Sequence, residues 1–267
     1  MSEEDFLTTE EQAILQSALE ETHQEIPTNS KSLFISDTTS RFSSALWYDN
    51  IQNKEVVLAG VGGIGSYVAY NLSRLQCKRI IVYDPDKVET VNMSGQLFNM
   101  QQVGMYKSDA VYNTVVSYSG YHRYYSYRER YTEYSTIKPI MICGFDNMEA
   151  RKVFFANWLK GTTAFNAKDC LFIDGRLAAE EFQILCIRGD DEYNIKRYQE
   201  EFLFTDEEAD ATICSYKQTT FCANMIASYI TNLFVNFCAN QCDPLIDRDL
   251  PFYTSYNAET MFLKTEK

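Results

Sequence analysis

From Glu55 onward, apolar residues follow two alternating rhythms. Short unbroken runs, V-V-L-A-G at 56–60 and R-I-I-V-Y-D at 79–84, predict strands buried on both faces. Between and after them the spacing turns helical. Val68, Leu72 and Leu75 share one face within 65–77, and Ala110, Val111, Thr114, Val115 and Tyr118 share one within 107–118. I-M-I-C-G-F-D at 140–146 predicts a further strand, followed by a helix through Trp158. C-L-F-I-D-G at 170–175 and E-F-Q-I-L-C-I-R-G at 181–189 predict two more strands. This alternation predicts an α/β fold: a Rossmann-like, mostly parallel sheet with helices on both faces.

Three segments depart from the rhythm. Gly189 to Thr212 holds nine acidic residues against Lys196 and Arg197 and predicts a long acidic crossover loop with a helical piece. Gln218 to Cys242 carries no charge, yet Asn224, Ser228, Asn232, Asn236 and Asn240 form a polar stripe at every fourth position. Ala223, Ile226, Ala227, Ile230, Leu233, Phe234 and Phe237 lie opposite. That stripe predicts a buried amphipathic helix, because a lipid-exposed span would leave its amides unsatisfied. A last apolar run, T-M-F-L-K, predicts a strand near 260–264.

The charge distribution sets off the beginning of the chain. The net charge is −13, and residues 1–40 hold nine acidic residues against Lys31 alone. Thr8 with Glu11 forms a capping-box pattern ahead of Ile14, Leu15, Ala18 and Leu19, and P-T-N-S-K-S interrupts it at 27–32. Residues 1–40 therefore read as an acidic N-terminal extension, set apart from a domain over 41–267. No Lys/Arg-rich run is present, which argues against nucleic acid as a partner. The acidic start lacks the basic-then-apolar pattern of a secretion signal. The eight scattered cysteines are therefore expected as reduced thiols in the cytoplasm, with no membrane association. There is no CxxC; Cys238 and Cys242 make one CxxxC, so zinc is not expected.

The chemistry begins at Gly60-x-Gly62-Gly63-x-Gly65, between a strand and a helix. The glycines permit a tight turn and let backbone N–H groups approach phosphate at the helix N-terminus. Asp84 ends the next strand, where a carboxylate meets ribose hydroxyls. These residues alone suit NAD, FAD or ATP equally.

The following stretch, D-P-D-K-V-E-T-V-N-M-S-G-Q, resembles the ThiF/MoeB/HesA family, ATP-dependent enzymes related to ubiquitin-activating enzymes. That family carries D-x-D-x-V and then N-x-x-R-Q, matched here by Asp84, Asp86, Val88, Asn92 and Gln96. Lys107 in V-G-M-Y-K-S-D-A-V and Asp146 with Asn147 and Arg151 in G-F-D-N-M-E-A-R-K match its later motifs. The resemblance spans roughly residues 41–240. It implies ATP-dependent adenylation of a carboxylate, the C-terminal glycine of a small ubiquitin-like or sulfur-carrier protein, by a homodimer. It also implies a nucleotide held by the glycine turn, Asp84, Asp86, Asn92, Gln96, Lys107 and Asn147, with Mg²⁺ on Asp146.

Two positions depart from the family: its arginine before the glutamine is Gly95 here, and its arginine ahead of strand one falls at Ser44 rather than Arg41 in an ungapped alignment. Arg41, Arg74, Arg151 and Arg176 are candidates to replace that charge, with Arg176, after I-D-G, foremost. Cys214 lies just ahead of the Asn-striped helix with Lys217 nearby, both of which favour a thiolate, while Asp206, Glu207, Glu208 and Asp210 oppose it. It is the candidate nucleophile for a thioester, since related activating enzymes carry their cysteine in this loop.

Overall fold

The computed structural model describes residues 38–204, 218–242 and 247–267. The short helix read at 8–19, part of the acidic loop, Cys214 and Lys217 lie outside these residues. The unit Arg41–Lys267 is built on one eight-stranded sheet.

The strands are β1 (Glu55–Ala59), β2 (Arg79–Tyr83), β3 (Tyr124–Tyr127), β4 (Ile140–Cys143), β5 (Leu171–Ala178), β6 (Glu181–Arg188), β7 (Tyr253–Asn257) and β8 (Phe262–Glu266). Their order is β3-β2-β1-β4-β5-β6-β7-β8. The first five run parallel. β5 and β6 form an antiparallel hairpin, and β7 and β8 continue antiparallel to the edge. The sheet is therefore mixed, with one parallel and one antiparallel half.

The helices are α1 (Tyr48–Gln52), α2 (Gly63–Arg74), α3 (Lys107–Ser119), α4 (Met148–Ala164), α5 (Glu192–Arg197) and α6 (Thr220–Asn240). The unbroken apolar strands have the cause the sequence suggests. In β1, Val56 and Leu58 face one core with residues of α2, α3 and α6, while Val57 and Ala59 face a second core with residues of α4. Both faces are covered, so no position in β1 after Glu55 tolerates a polar residue.

α6 is long and apolar enough to cross a membrane by length and composition alone. Its apolar side, including Ile226, Ile230 and Phe234, is buried in the core with α2, and Asn224, Ser228 and Asn232 face out. The stripe also has a local task. Asn236 and Asn240 donate to the carbonyls of Asp249 and Arg248, fastening the segment that leads into β7.

Three elements escape the sequence pattern: α1, β3 and β7. β3 is Tyr-Tyr-Ser-Tyr and β7 is Tyr-Thr-Ser-Tyr-Asn, aromatic and polar segments with no apolar run to announce them. They are strands because β2 and β6 offer open edges to pair with.

Candidate functional site

β1 ends at Ala59, and Gly60 turns the chain with φ +81°. A Cβ on Gly60 would lie 2.7 Å from the carbonyl oxygen of Gly144, so both conformation and space demand glycine. α2 starts three residues later with no side-chain cap at Gly62. Its first N–H groups therefore lack intrahelical partners and suit an anion. A Cβ on Gly65 would lie 1.9 Å from the Gly60 carbonyl oxygen, so turn and helix pack backbone to backbone. The Gly144 N–H donates to Ala59 O at 2.8 Å. This brings the loop after β4 against the turn, at the point where strand order reverses between β1 and β4.

Asp84, just past β2, is buried and latches that strand's end to the turn. Its Oδ2 accepts from Val61 N at 2.8 Å and its Oδ1 from Asp86 N at 2.9 Å. Burial pushes its carboxyl pKa up; the two backbone donors and Lys107 oppose that without cancelling it. Lys107 opens α3 with its side chain buried, and its Nζ lies 3.1 Å from the exposed Asp86 Oδ2. A backbone bond, Lys107 N to Asp86 O at 2.8 Å, supports the same contact. Asp86, Lys87, Glu89, Asn92 and Lys107 line a cleft of about 230 Å³. Asn92 Oδ1 accepts from Glu89 N, so part of its role is to cap the 3-10 turn Thr90–Ser94.

Gln96 lies against the glycine turn, its Nε2 3.7 Å from where a Cβ on Gly62 would be. Ser66 Oγ accepts from Leu97 N at 3.0 Å and holds this segment in place. Gln96 Oε1 is shut off from solvent and has no hydrogen-bond partner among the described residues. An orphaned buried acceptor beside an uncapped helix N-terminus marks a place that a ligand completes.

Asp146 and Asn147 divide two roles. Asn147 caps α4, accepting from Ala150 N at 2.9 Å, and donates to Asp146 Oδ1 at 3.3 Å. The helix cap is thus Asn147, which leaves Asp146 an exposed carboxylate beyond the end of β4. Beneath them Arg151 donates from Nε to Asp174 Oδ1 at 2.8 Å and from a terminal nitrogen to the Phe145 carbonyl at 2.7 Å. Burial works against the Arg151 charge, and facing Asp174 more than restores it, raising its pKa.

Of the arginines expected to stand in for the charge missing at Gly95, Arg151 and Arg176 are both bound to one buried carboxylate. Arg176 donates from Nε to Asp174 Oδ2 at 2.9 Å and from a terminal nitrogen to Phe202 O at 2.7 Å. Tyr198 donates its hydroxyl to the same Oδ2. Asp174 is fully buried, so it draws both arginines inward. Arg74 lies in the last turn of α2, away from the glycine end, and donates to Tyr118 O. Arg41 is exposed ahead of α1.

Two further cysteines near the site are buried. Burial pushes the Cys143 thiol up to about 12 and also raises that of Cys222, so neither matches an exposed thiolate nucleophile. A second cavity, about 220 Å³, is lined by Arg188, Asp191, Arg248 and Lys267 among others. Arg188 pairs with Leu171 at the start of β5, which puts this cavity at the opposite end of the parallel strands.

Two residues near the site are not singled out by the sequence. Asp174 carries a signal in retrospect, a carboxylate inside an apolar strand two residues before an arginine. Gln218, just ahead of α6, carries none. Its side chain lies over both Gly63 and Gly95.

Comparison with known proteins agrees with this geometry. The ThiF family model matches residues 36–179. Ubiquitin-like modifier-activating enzyme 5 of Oryza sativa is 40% identical over 68 residues, 26% of this chain and 16% of that protein. The Caenorhabditis elegans enzyme of the same name is 39% identical over 69 residues, again 26% of this chain and 16% of that protein. The matched stretch thus spans about a sixth of these relatives. Among solved structures, PaaA superposes with TM-score 0.64 at 13% identity, covering 98% of this chain and 83% of that one. E. coli MccB with ATP gives TM-score 0.59 at 16% identity, covering 98% and 79%. At such identities the likeness speaks for the fold.

Proposed function

The chain belongs to the ThiF family, and from that premise we propose that it is an ATP-dependent adenylyltransferase acting on a carboxylate. A carboxylate oxygen attacks the α-phosphorus of ATP. The bond to the bridging oxygen breaks, pyrophosphate leaves with its electron pair, and an acyl-adenylate remains. The proposed acceptor is the C-terminal glycine of a small ubiquitin-like or sulfur-carrier protein, in keeping with the activating-enzyme relatives.

The observation that carries the reading is the pairing of a buried cation and an exposed carboxylate around one glycine turn. Lys107 reaches the turn's border through Asp86 and Asp84, and Asp146 reaches it through the Gly144–Ala59 bond. Triphosphate and incoming carboxylate repel, so the site must supply positive charge and backbone donors. The free N–H groups at the start of α2 and the Lys107 ammonium serve that need. A hydride-transferring dinucleotide enzyme has no task for either Lys107 or Asp146.

Mg²⁺ suits the donor set. It binds through one or two carboxylates together with phosphate oxygens and water. Asp146 offers one exposed carboxylate, and among the described residues no cluster of three or more ligating side chains exists. The ion would therefore arrive with the nucleotide and screen its phosphate charge. A subsequent thioester step, in which the Cys214 sulfur attacks the acyl carbon and AMP leaves, belongs to the same proposal.

A second reading has its own support. Arg151 and Arg176 are committed to Asp174, and position 95 is glycine, so cationic side chains around the phosphates are few. A module that binds ATP without turnover would look the same. Radiolabelled pyrophosphate–ATP exchange, run with small carrier proteins ending in Gly-Gly, separates the two. Carrier-dependent exchange supports the enzyme. ATP binding by calorimetry with no exchange for any carrier favours the module.

A further inference from the structure

Gln218 precedes α6 and pairs with Ala179 in an isolated parallel bridge. Two residues further on, Thr220 donates its hydroxyl to the Ser94 carbonyl. The chain entering α6 is thereby fastened onto the segment that ends at Gly95. Between these ties the Gln218 side chain fills a slot bounded by two glycines. A Cβ on Gly63 would lie 2.0 Å from Gln218 Oε1, and a Cβ on Gly95 would lie 2.7 Å from its Cγ and 2.9 Å from its Nε2. Neither position accepts any side chain while Gln218 stays. Gly63 is also the first residue of α2, whose N-terminus has no side-chain cap.

We propose that Gln218 contacts the phosphates of the bound nucleotide, its carboxamide reaching the start of α2 through the space that Gly95 leaves open. The proposal rests on the reading of this site as an ATP site. Three observations converge on it. The carboxamide lies against the first residue of an uncapped helix. The neighbouring Gln96 presents a buried oxygen with no partner among the described residues, so this wall of the turn is polar. And the backbone is tied at Gln218 by the bridge to Ala179 and at Thr220 by the bond to Ser94, which keeps the carboxamide beside the turn. A neutral amide turns its N–H₂ toward an anion and supplies a donor at a position where Gly95 brings no side chain of its own.

The test is a set of variants of the full chain titrated calorimetrically with ATP and with adenosine. Gln218→Ala should weaken ATP on the order of tenfold, as for loss of one charge-assisted hydrogen bond, and leave adenosine unchanged. Gln218→Glu keeps the shape but sets a carboxylate against phosphate. It should weaken ATP further, with affinity partly regained as the pH is lowered toward the carboxylate range. Gly95→Ala should displace Gln218 and mimic Gln218→Ala, and the double variant should be no weaker than either single one. Equal losses for ATP and adenosine, additive losses in the double variant, or ATP affinity unchanged in Gln218→Ala would overturn the role of Gln218. Wild-type protein that binds no ATP would overturn the ATP site itself, and this inference with it.

Discussion

Lys107 and Asp86 meet at 3.1 Å, the lysine buried and the aspartate exposed, 21 residues apart along the chain. An exposed counter-ion is easily exchanged. When an anion enters the cleft, Asp86 can turn to solvent while the Lys107 ammonium remains directed into it. Lys107→Met should therefore weaken ATP by roughly 10- to 100-fold, the range of a charge-assisted bond, and leave adenosine nearly unaffected. Titration of both ligands checks this; parallel losses would assign Lys107 to packing.

Asp146 and Asn147 are neighbours with separable duties. Asp146→Ala removes an exposed carboxylate that caps nothing, so the unfolding free energy should stay within about 0.5 kcal/mol of wild type. Pyrophosphate exchange should fall by about 100-fold or more at saturating Mg²⁺, in line with a lost metal contact at the phosphates. Asn147→Ala should do the reverse, costing about 1 kcal/mol of stability through the lost cap with the smaller effect on exchange. Denaturant unfolding alongside exchange rates decides it.

Asp174 holds two arginines and a tyrosine hydroxyl inside the protein. Asp174→Asn leaves Arg151 and Arg176 without a countercharge and should cost about 3–5 kcal/mol. Arg151 also donates to the Phe145 carbonyl, next to Asp146, so a surviving variant should show slower exchange as well. Arg176→Ala should register chiefly in stability. A variant with native stability and reduced exchange would instead give Arg176 a direct part at the phosphates.

At the far end of β1, Glu55 gathers Lys138, Lys78 and Arg79. The hydrogen bond from Lys138 is the main cause of its lowered pKa, with burial opposing and the three positive charges assisting. A carboxyl with a depressed folded pKa contributes stability above its ordinary value, near 4.3 for glutamate. That contribution is lost as pH falls through the lower folded value. Glu55→Gln should thus cost about 1 kcal/mol at pH 7, and the gap to wild type should close as pH falls below the ordinary glutamate range and through the lowered folded value. Urea denaturation at several pH values checks the convergence.

Much of this protein is local information. The apolar runs at 56–60 and 79–84 specify strands because burial on both faces admits nothing else there, and the α6 stripe separates its buried and exposed sides residue by residue. The glycine turn, Asp84 at a strand end and the start of α3 at Lys107 are likewise legible, since each depends on a few consecutive residues. Tertiary structure decided the rest. β3 and β7 exist only because neighbouring strands offer hydrogen-bonding edges, and the hairpin of β5 and β6 sets where the sheet turns antiparallel. Above all, the sequence shows several arginines and leaves open which of them faces phosphate. Arg151 stands 23 residues from Asp174 and Arg176 only two, yet both converge on that one buried carboxylate. A buried charge must be neutralised where it lies, so the fold settles those partnerships, and it seats Gln218 over Gly63 and Gly95 for the same kind of reason: the space is open there.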